Sequence, residues 1–199
     1  SVSEGNITSI KLPNGDVQEL DTEGRVTQIS KQDGSRQDYS YGPEGRLSTV
    51  TLTDSQGRLK STQYLDPEGN ITKESRPDGT EFLFNQFGNV TEVKNPDGTS
   101  LRYTYNTEGD IEKILSYNSQ GSLTSTSQYD PQGNLLGVLL ADGTEQTYND
   151  DGTIAKIRRF DGTVEDFVYS SEGDLSEIRR TDAQGNLTSR TLIGNLTGN

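Results

Sequence analysis

Residues 97–114 read Asp97-Gly98-Thr99-Ser100-Leu101-Arg102-Tyr103-Thr104-Tyr105-Asn106-Thr107-Glu108-Gly109-Asp110-Ile111-Glu112-Lys113-Ile114. Asp97-Gly98 is a turn signal, and Gly109 closes a second polar cluster. Glycine accepts the positive φ that tight hairpin turns demand, and an Asp or Asn before it bonds its own backbone. Between the two turns, Arg102-Tyr103-Thr104-Tyr105 places an aromatic at every second position, the period of a strand. Ile111 and Ile114 stand three apart, which suggests a helical face. The next turn follows too soon for a helix of ordinary length. They read as strand residues, either with a bulge that brings both to one face or with one on each face.

Outward from this stretch, the turn glycines form a ruler. From Gly5 through Gly15, Gly24, Gly34, Gly45, Gly57 and Gly69 the gaps are 10, 9, 10, 11, 12 and 12. From Gly69 to Gly133 the same six gaps recur, and from Gly133 to Gly185 the first five recur again. The chain 1–199 is therefore read as one repeat domain of three 64-residue units, 5–68, 69–132 and 133–196. Apolar residues keep the frame: Val26, Val90 and Ile154; Leu47, Ile111 and Leu175; Val50, Ile114 and Ile178. Polar residues between them vary, as expected of a repeated half-buried position. Six short strands per unit, rich in Thr, Val, Ile, Tyr and Leu, predict about 18 antiparallel strands. Consecutive hairpins favour a meander.

Composition bounds the architecture and the chemistry. Of 199 residues only 27% are hydrophobic, too few to fill the two inner faces of a sandwich. The expected fold is all-β: a repetitive antiparallel hairpin strip, a twisted or spirally wound single-layer sheet, solenoid-like. Low hydrophobicity with a net charge of −13 also marks disordered chains, but 9 Tyr and 5 Phe in repeated positions oppose that. Cys and His are absent. That removes disulfides, thiol nucleophiles and histidine acid/base or metal chemistry. The acidity argues against nucleic acid, whose backbone calls for clustered Lys and Arg. No apolar run reaches the ~18 residues of a membrane span.

The opening stretch resembles the bacterial YD repeat, also called the RHS (rearrangement-hotspot) repeat. That family's pattern runs DGT, four residues, YxYD, two residues, GxLxxV. It recurs at Asp33-Gly34 to Val50 and Asp161-Gly162 to Ile178, and more loosely at Tyr129-Asp130-Pro131-Gln132-Gly133-Asn134-Leu135. The Tyr-Asp pair itself survives at 129–130; elsewhere the chain reads Tyr41-Gly42, Tyr105-Asn106 and Tyr169-Ser170. Glu74 stands where Ile10 and Val138 are aliphatic. The resemblance implies a long coiling hairpin strip. In large members that strip winds into a hollow shell around a toxic C-terminal segment; others are surface or wall-associated adhesion proteins. MORN-type strips match less well, since their Gly-aromatic-Gly spacing is missing.

Candidate sites are few. The columns Tyr39/Tyr103/Phe167 and Tyr41/Tyr105/Tyr169 suit sugar stacking or a ligand groove, with Tyr41, Tyr105 and Tyr169 as the candidate ligand-binding residues. A cross-strand packing ladder explains the same columns. The acidic turns lack the alternating acids and closing Glu of an EF-hand-like loop, so no metal and no cofactor is expected. Asn-x-Thr occurs at 6–8, 70–72, 89–91, 186–188 and 195–197. Each suits a glycan acceptor in a eukaryotic secretory setting, but the repeat frame accounts for four of them. Carboxylate pairs for glycoside hydrolysis are easily drawn from so many acids, yet none is marked as special, and no enzyme activity is expected.

The expected role is a noncatalytic structural or adhesive element, a bacterial extracellular or cell-surface stalk, filament subunit or interaction surface. The alternatives are an arc of an RHS-type toxin-encapsulating shell and a carbohydrate-binding module. At this length the chain is too short to close a shell. Ser1 in place of Met and the missing signal peptide suggest a mature form or a piece of a longer chain. The third unit ends Ile193-Gly194-Asn195-Leu196 where the others carry Asp66-Pro67 and Asp130-Pro131, and no polar cap is evident. Expected partners are further copies through unpaired end strands, and a carbohydrate or other cell-surface component.

Overall fold

The computed structural model of the protein describes residues 2–3 and 6–193. The expected turn at Gly5, the Gly194–Leu196 end of the third unit and the Asn-x-Thr at 195–197 lie outside the described residues. The first two strands, β1 (Val2–Ser3) and β2 (Asn6–Ile7), pair antiparallel as a sheet of their own. Eighteen strands follow among the described residues, with no helix. They begin with β3 (Ser9–Lys11), β4 (Val17–Leu20), β5 (Val26–Ser30), β6 (Arg36–Tyr41), β7 (Leu47–Thr53) and β8 (Leu59–Leu65). Next come β9 (Ile71–Ser75), β10 (Glu81–Phe84), β11 (Val90–Lys94), β12 (Ser100–Tyr105), β13 (Ile111–Tyr117) and β14 (Leu123–Tyr129). The last are β15 (Leu135–Leu140), β16 (Glu145–Tyr148), β17 (Ile154–Arg158), β18 (Val164–Tyr169), β19 (Leu175–Thr181) and β20 (Leu187–Leu192).

The chain forms two compact units, Ser1–Asp97 and Gly98–Asn199, divided inside the second 64-residue repeat. In the first, β3 to β11 pair antiparallel in chain order. In the second, β12 to β20 do the same. Each is an open meander, and among the described residues no pairing joins the first strand of a unit to its last. The expected all-β, single-layer meander is the observed one.

Each hairpin closes in the same way. At 106–110 the Asn106 N–H donates to the Asp110 carbonyl at 2.9 Å, and the Gly109 N–H donates to the Asn106 carbonyl at 3.2 Å. Gly109 has φ 94°. This is a type I turn followed by a left-handed glycine, a common longer hairpin loop rather than the two-residue Asn-Gly kind. The turn-opening side chain then caps two amides. Asn106 Oδ1 accepts from the Glu108 and Asp110 N–H groups, both at 2.9 Å. Asp54, Asp130 and Asp182 accept the equivalent pairs. Ser170 Oγ accepts them at 3.2 Å each. Asn106 and Ser170 thus keep the acceptor role of the Asp in Tyr-Asp, and Gly42 has no side chain to do so.

A second device sits one residue into the next strand. Tyr103 faces Ile114 and Tyr105 faces Ile111, so Glu112 is an extra residue. The bulge puts Ile111 and Ile114 on one face, which decides the alternative that spacing leaves open. Tyr39/Tyr41 against Val50/Leu47, and Phe167/Tyr169 against Ile178/Leu175, repeat the arrangement. Hairpins at Asp33-Gly34, Asp78-Gly79, Asp142-Gly143 and Asp161-Gly162 have no such slip. There the Asp before the glycine accepts the N–H just after it, at 2.8–2.9 Å. Where the bulged residue is Thr, its hydroxyl donates back across the ladder: Thr72 to the Tyr64 carbonyl, Thr91 to Leu83 and Thr188 to Arg180. The threonines of those Asn-x-Thr triplets are therefore bulge residues.

Among the described residues no side chain is fully buried, and Val50, 9% exposed, is the one buried hydrophobic residue. Partial burial yields less than the ~1.5–3 kcal/mol of a fully buried aliphatic side chain, so stability leans on the ladder and the turns. A Cβ at Gly109 meets nothing within 4 Å, so Gly109→Ala costs only left-handed strain, about 1–2 kcal/mol, measurable by urea denaturation. Gly42→Asp supplies the missing acceptor for the Glu44 and Arg46 N–H groups and restricts the unfolded chain. It raises the thermal midpoint.

Candidate functional site

The aromatic columns lie on the face that carries the bulge-aligned aliphatic residues. In the first unit Tyr39 stands opposite Val50 and Tyr41 opposite Leu47; in the second Tyr103 stands opposite Ile114, Tyr105 opposite Ile111 and Tyr169 opposite Leu175. All three candidate tyrosines are half-buried. The Tyr41 hydroxyl donates to the Val26 carbonyl at 2.7 Å, and that of Tyr169 donates to Ile154 at 2.8 Å. The Arg25 guanidinium stands 4.6 Å from the centre of the Tyr41 ring, a cation–π contact. Burial pushes the Tyr39 and Tyr105 phenols up from the ordinary tyrosine value, so both stay protonated donors at neutral pH. The Tyr39 hydroxyl donates to Gln37 Oε1 at 2.8 Å.

The spacing rule that found these columns also reaches pairs not singled out from sequence: Phe84 with Val90, Tyr129 with Leu135 and Tyr148 with Ile154. An aromatic just before a turn and an aliphatic two residues after its glycine is the signal. The ion-pair clusters of the third repeat have no such periodic signal. Glu177, 5% exposed, is held by Arg179 at 2.7 Å and by Arg190. Glu165, 8% exposed, takes Arg180 at 2.6 Å and Arg159 at 3.2 Å. Among the described residues no three Asp or Glu converge as metal ligands, and no buried side-chain polar atom lacks a partner. No helix there is long and apolar enough to cross a membrane.

Residues 21–59 match the RHS repeat. The match spans about a fifth of the chain. Its internal period places equivalent stretches at 85–123 and 149–187. The TCP10 domain of Danio rerio CPAP is 22% identical to this chain, and the match covers 93% of this chain and 99% of that domain, at a TM-score of 0.50. A TcdB2-TccC3 structure is 16% identical over 89% of this chain and 11% of its own, at 0.37. The Photorhabdus luminescens Tc holotoxin pore is 14% identical over 89% and 12%, also at 0.37. The chain thus spans about a tenth of those toxin chains. At 22% identity the likeness to the TCP10 domain is one of fold. Among curated proteins none matches by sequence.

Tyr41→Phe and Tyr169→Phe each remove a hydroxyl donor from a backbone carbonyl, and each costs about 1 kcal/mol in urea unfolding. The Arg179 and Arg190 guanidiniums hold the Glu177 carboxyl down at about 2. Hydrogen bonds from Arg25, Arg58 and Asn134 lower Asp21, Asp54 and Asp130. A carboxyl lowered on folding stabilises the fold above its unfolded value and loses that effect as it protonates. The thermal midpoint therefore holds from neutrality to about pH 5 and then falls towards pH 2. Glu177→Gln flattens the lower part of that fall.

Proposed function

We propose that the chain is a noncatalytic structural or adhesive segment of RHS type, a bacterial extracellular or cell-surface stalk, filament subunit or interaction surface. The observation that carries this reading is an antiparallel meander with no fully buried side chain among the described residues, in which the Tyr41 and Tyr169 hydroxyls and many of the acids are bonded to its own turns and ladder. Such a strip offers area rather than a pocket. A TCP10 domain matched over nearly its whole length supports a strip of this size standing as a domain. The expected self-assembly through end strands, and a carbohydrate or other cell-surface partner, belong to the same proposal.

The RHS match favours one second reading, an arc of a toxin-encapsulating shell. Electron microscopy of the purified chain, with light scattering for mass, separates the two. Strips, rods or filaments support the leading reading. Hollow closed particles overturn it in favour of the shell.

A further inference from the structure

Two opposite charges in the third repeat face each other across a ladder and do not pair. Glu145 on β16 is the register partner of Arg158 on β17. Both are exposed, and neither has an ion-pair or side-chain hydrogen-bond partner among the described residues. The second repeat has the same two charges in the same register, Glu81 opposite Lys94, but each is engaged within its own chain. Glu81 pairs with Lys73, and Lys94 pairs with Glu92 at 4.0 Å. One repeat further on, the position of Lys73 is Gly137 and that of Glu92 is Lys156. The third repeat keeps the two charges and has lost both internal partners.

The surrounding face is divided by charge. Residues 114–155 contain no Lys or Arg, and the next six cations all lie between 156 and 190. Register places Leu139, Gly137, Glu145 and Thr147 on one side of the β16/β17 line, and Arg158, Lys156, Val164 and Asp166 on the other. Leu139 is 48% exposed. Gly137 leaves a notch in this face, where the second repeat has the Lys73 side chain.

We infer that this face of the third repeat is a self-complementary contact with a second copy of the chain, in which Glu145 of each copy pairs with Arg158 of the other. A two-fold axis running along the strands between β16 and β17, midway between two stacked sheets, produces both pairs at once. The same operation sets Leu139 over the other copy's Val164. A closed two-fold contact is the commonest homo-oligomeric arrangement. Six strands ~4.8 Å apart, with about four residues each at ~3.4 Å, present roughly 400 Å², the scale of a weak and salt-sensitive contact. This goes beyond the proposed role and uses the sheet face rather than the end strands.

The test is sedimentation equilibrium of the full chain at low salt and at about 1 M salt, where screening shortens to ~3 Å. The wild type forms dimers that weaken with salt. Glu145→Arg alone and Arg158→Glu alone each juxtapose like charges and weaken dimerisation by about tenfold or more. Each single variant also sets like charges opposite each other across its own ladder, so its thermal midpoint falls slightly while its circular dichroism keeps the strand signature of the wild type. Mixing the two single variants restores dimers, because every facing pair is then opposite in sign. A monomeric wild type overturns the inference. So do single variants that dimerise like the wild type, or a mixture that stays monomeric. None of these outcomes bears on whether the chain is a stalk or a shell arc.

Discussion

Everything in this structure depends on the five-residue turn that ends in a left-handed glycine. Its two backbone bonds, such as those joining Asn106 to Asp110 and Gly109 to Asn106, reverse the chain in the space of one polar cluster. An L side chain resists the backbone conformation of Gly109. The glycine spacing therefore sets strand length, and strand length sets the width of the strip. With no fully buried side chain among the described residues to supply cooperativity from packing, the turns define the register that a core defines elsewhere.

The bulge is the second half of the device. A strand that left each turn in simple alternation would put Ile111 and Ile114 on opposite faces. The extra residue Glu112 resets the phase, so both stand against Tyr105 and Tyr103. The aliphatic residues on either side of the bulge thereby share the aromatic face, while Leu115, Leu139 and Val164 stand on the other. The bulged threonines bond back to the carbonyl across the ladder, and this accounts for the recurrent Asn-x-Thr without glycan chemistry. The Tyr-Asp signature has a like explanation: the aromatic covers the aliphatic residue beyond the turn, and the acid caps two turn amides. Asn or Ser in that second place keeps an acceptor.

Between these fixed points the repeat tolerates wide variation, and the variation carries the individuality of each repeat. Lys73 and Glu92 satisfy two facing charges in the second repeat; Gly137 and Lys156 at the same places leave Glu145 and Arg158 without partners. Arg179 and Arg190 converge on Glu177 in the third repeat, where the first repeat has Thr51, Thr62 and Thr49. The frame requires none of these charges, which leaves them open to roles outside the fold.

The strand class, the antiparallel meander and the single layer were legible from residue order because each is a local matter of turn chemistry, alternation and apolar supply. The columns through Tyr41, Tyr105 and Tyr169 were legible for the same reason. What residue order left open was the phase of each strand after its turn, since a spacing of three suits both a bulge and a change of face, and only the paired backbone shows Glu112 set aside. Nor did it reveal that the Tyr41 and Tyr169 hydroxyls reach the carbonyls of Val26 and Ile154, or that Glu145 stands beside Arg158 unpaired. Those are contacts between residues 13 to 15 apart in the chain, and register across a hydrogen-bonded ladder, not local sequence, decides which side chains meet.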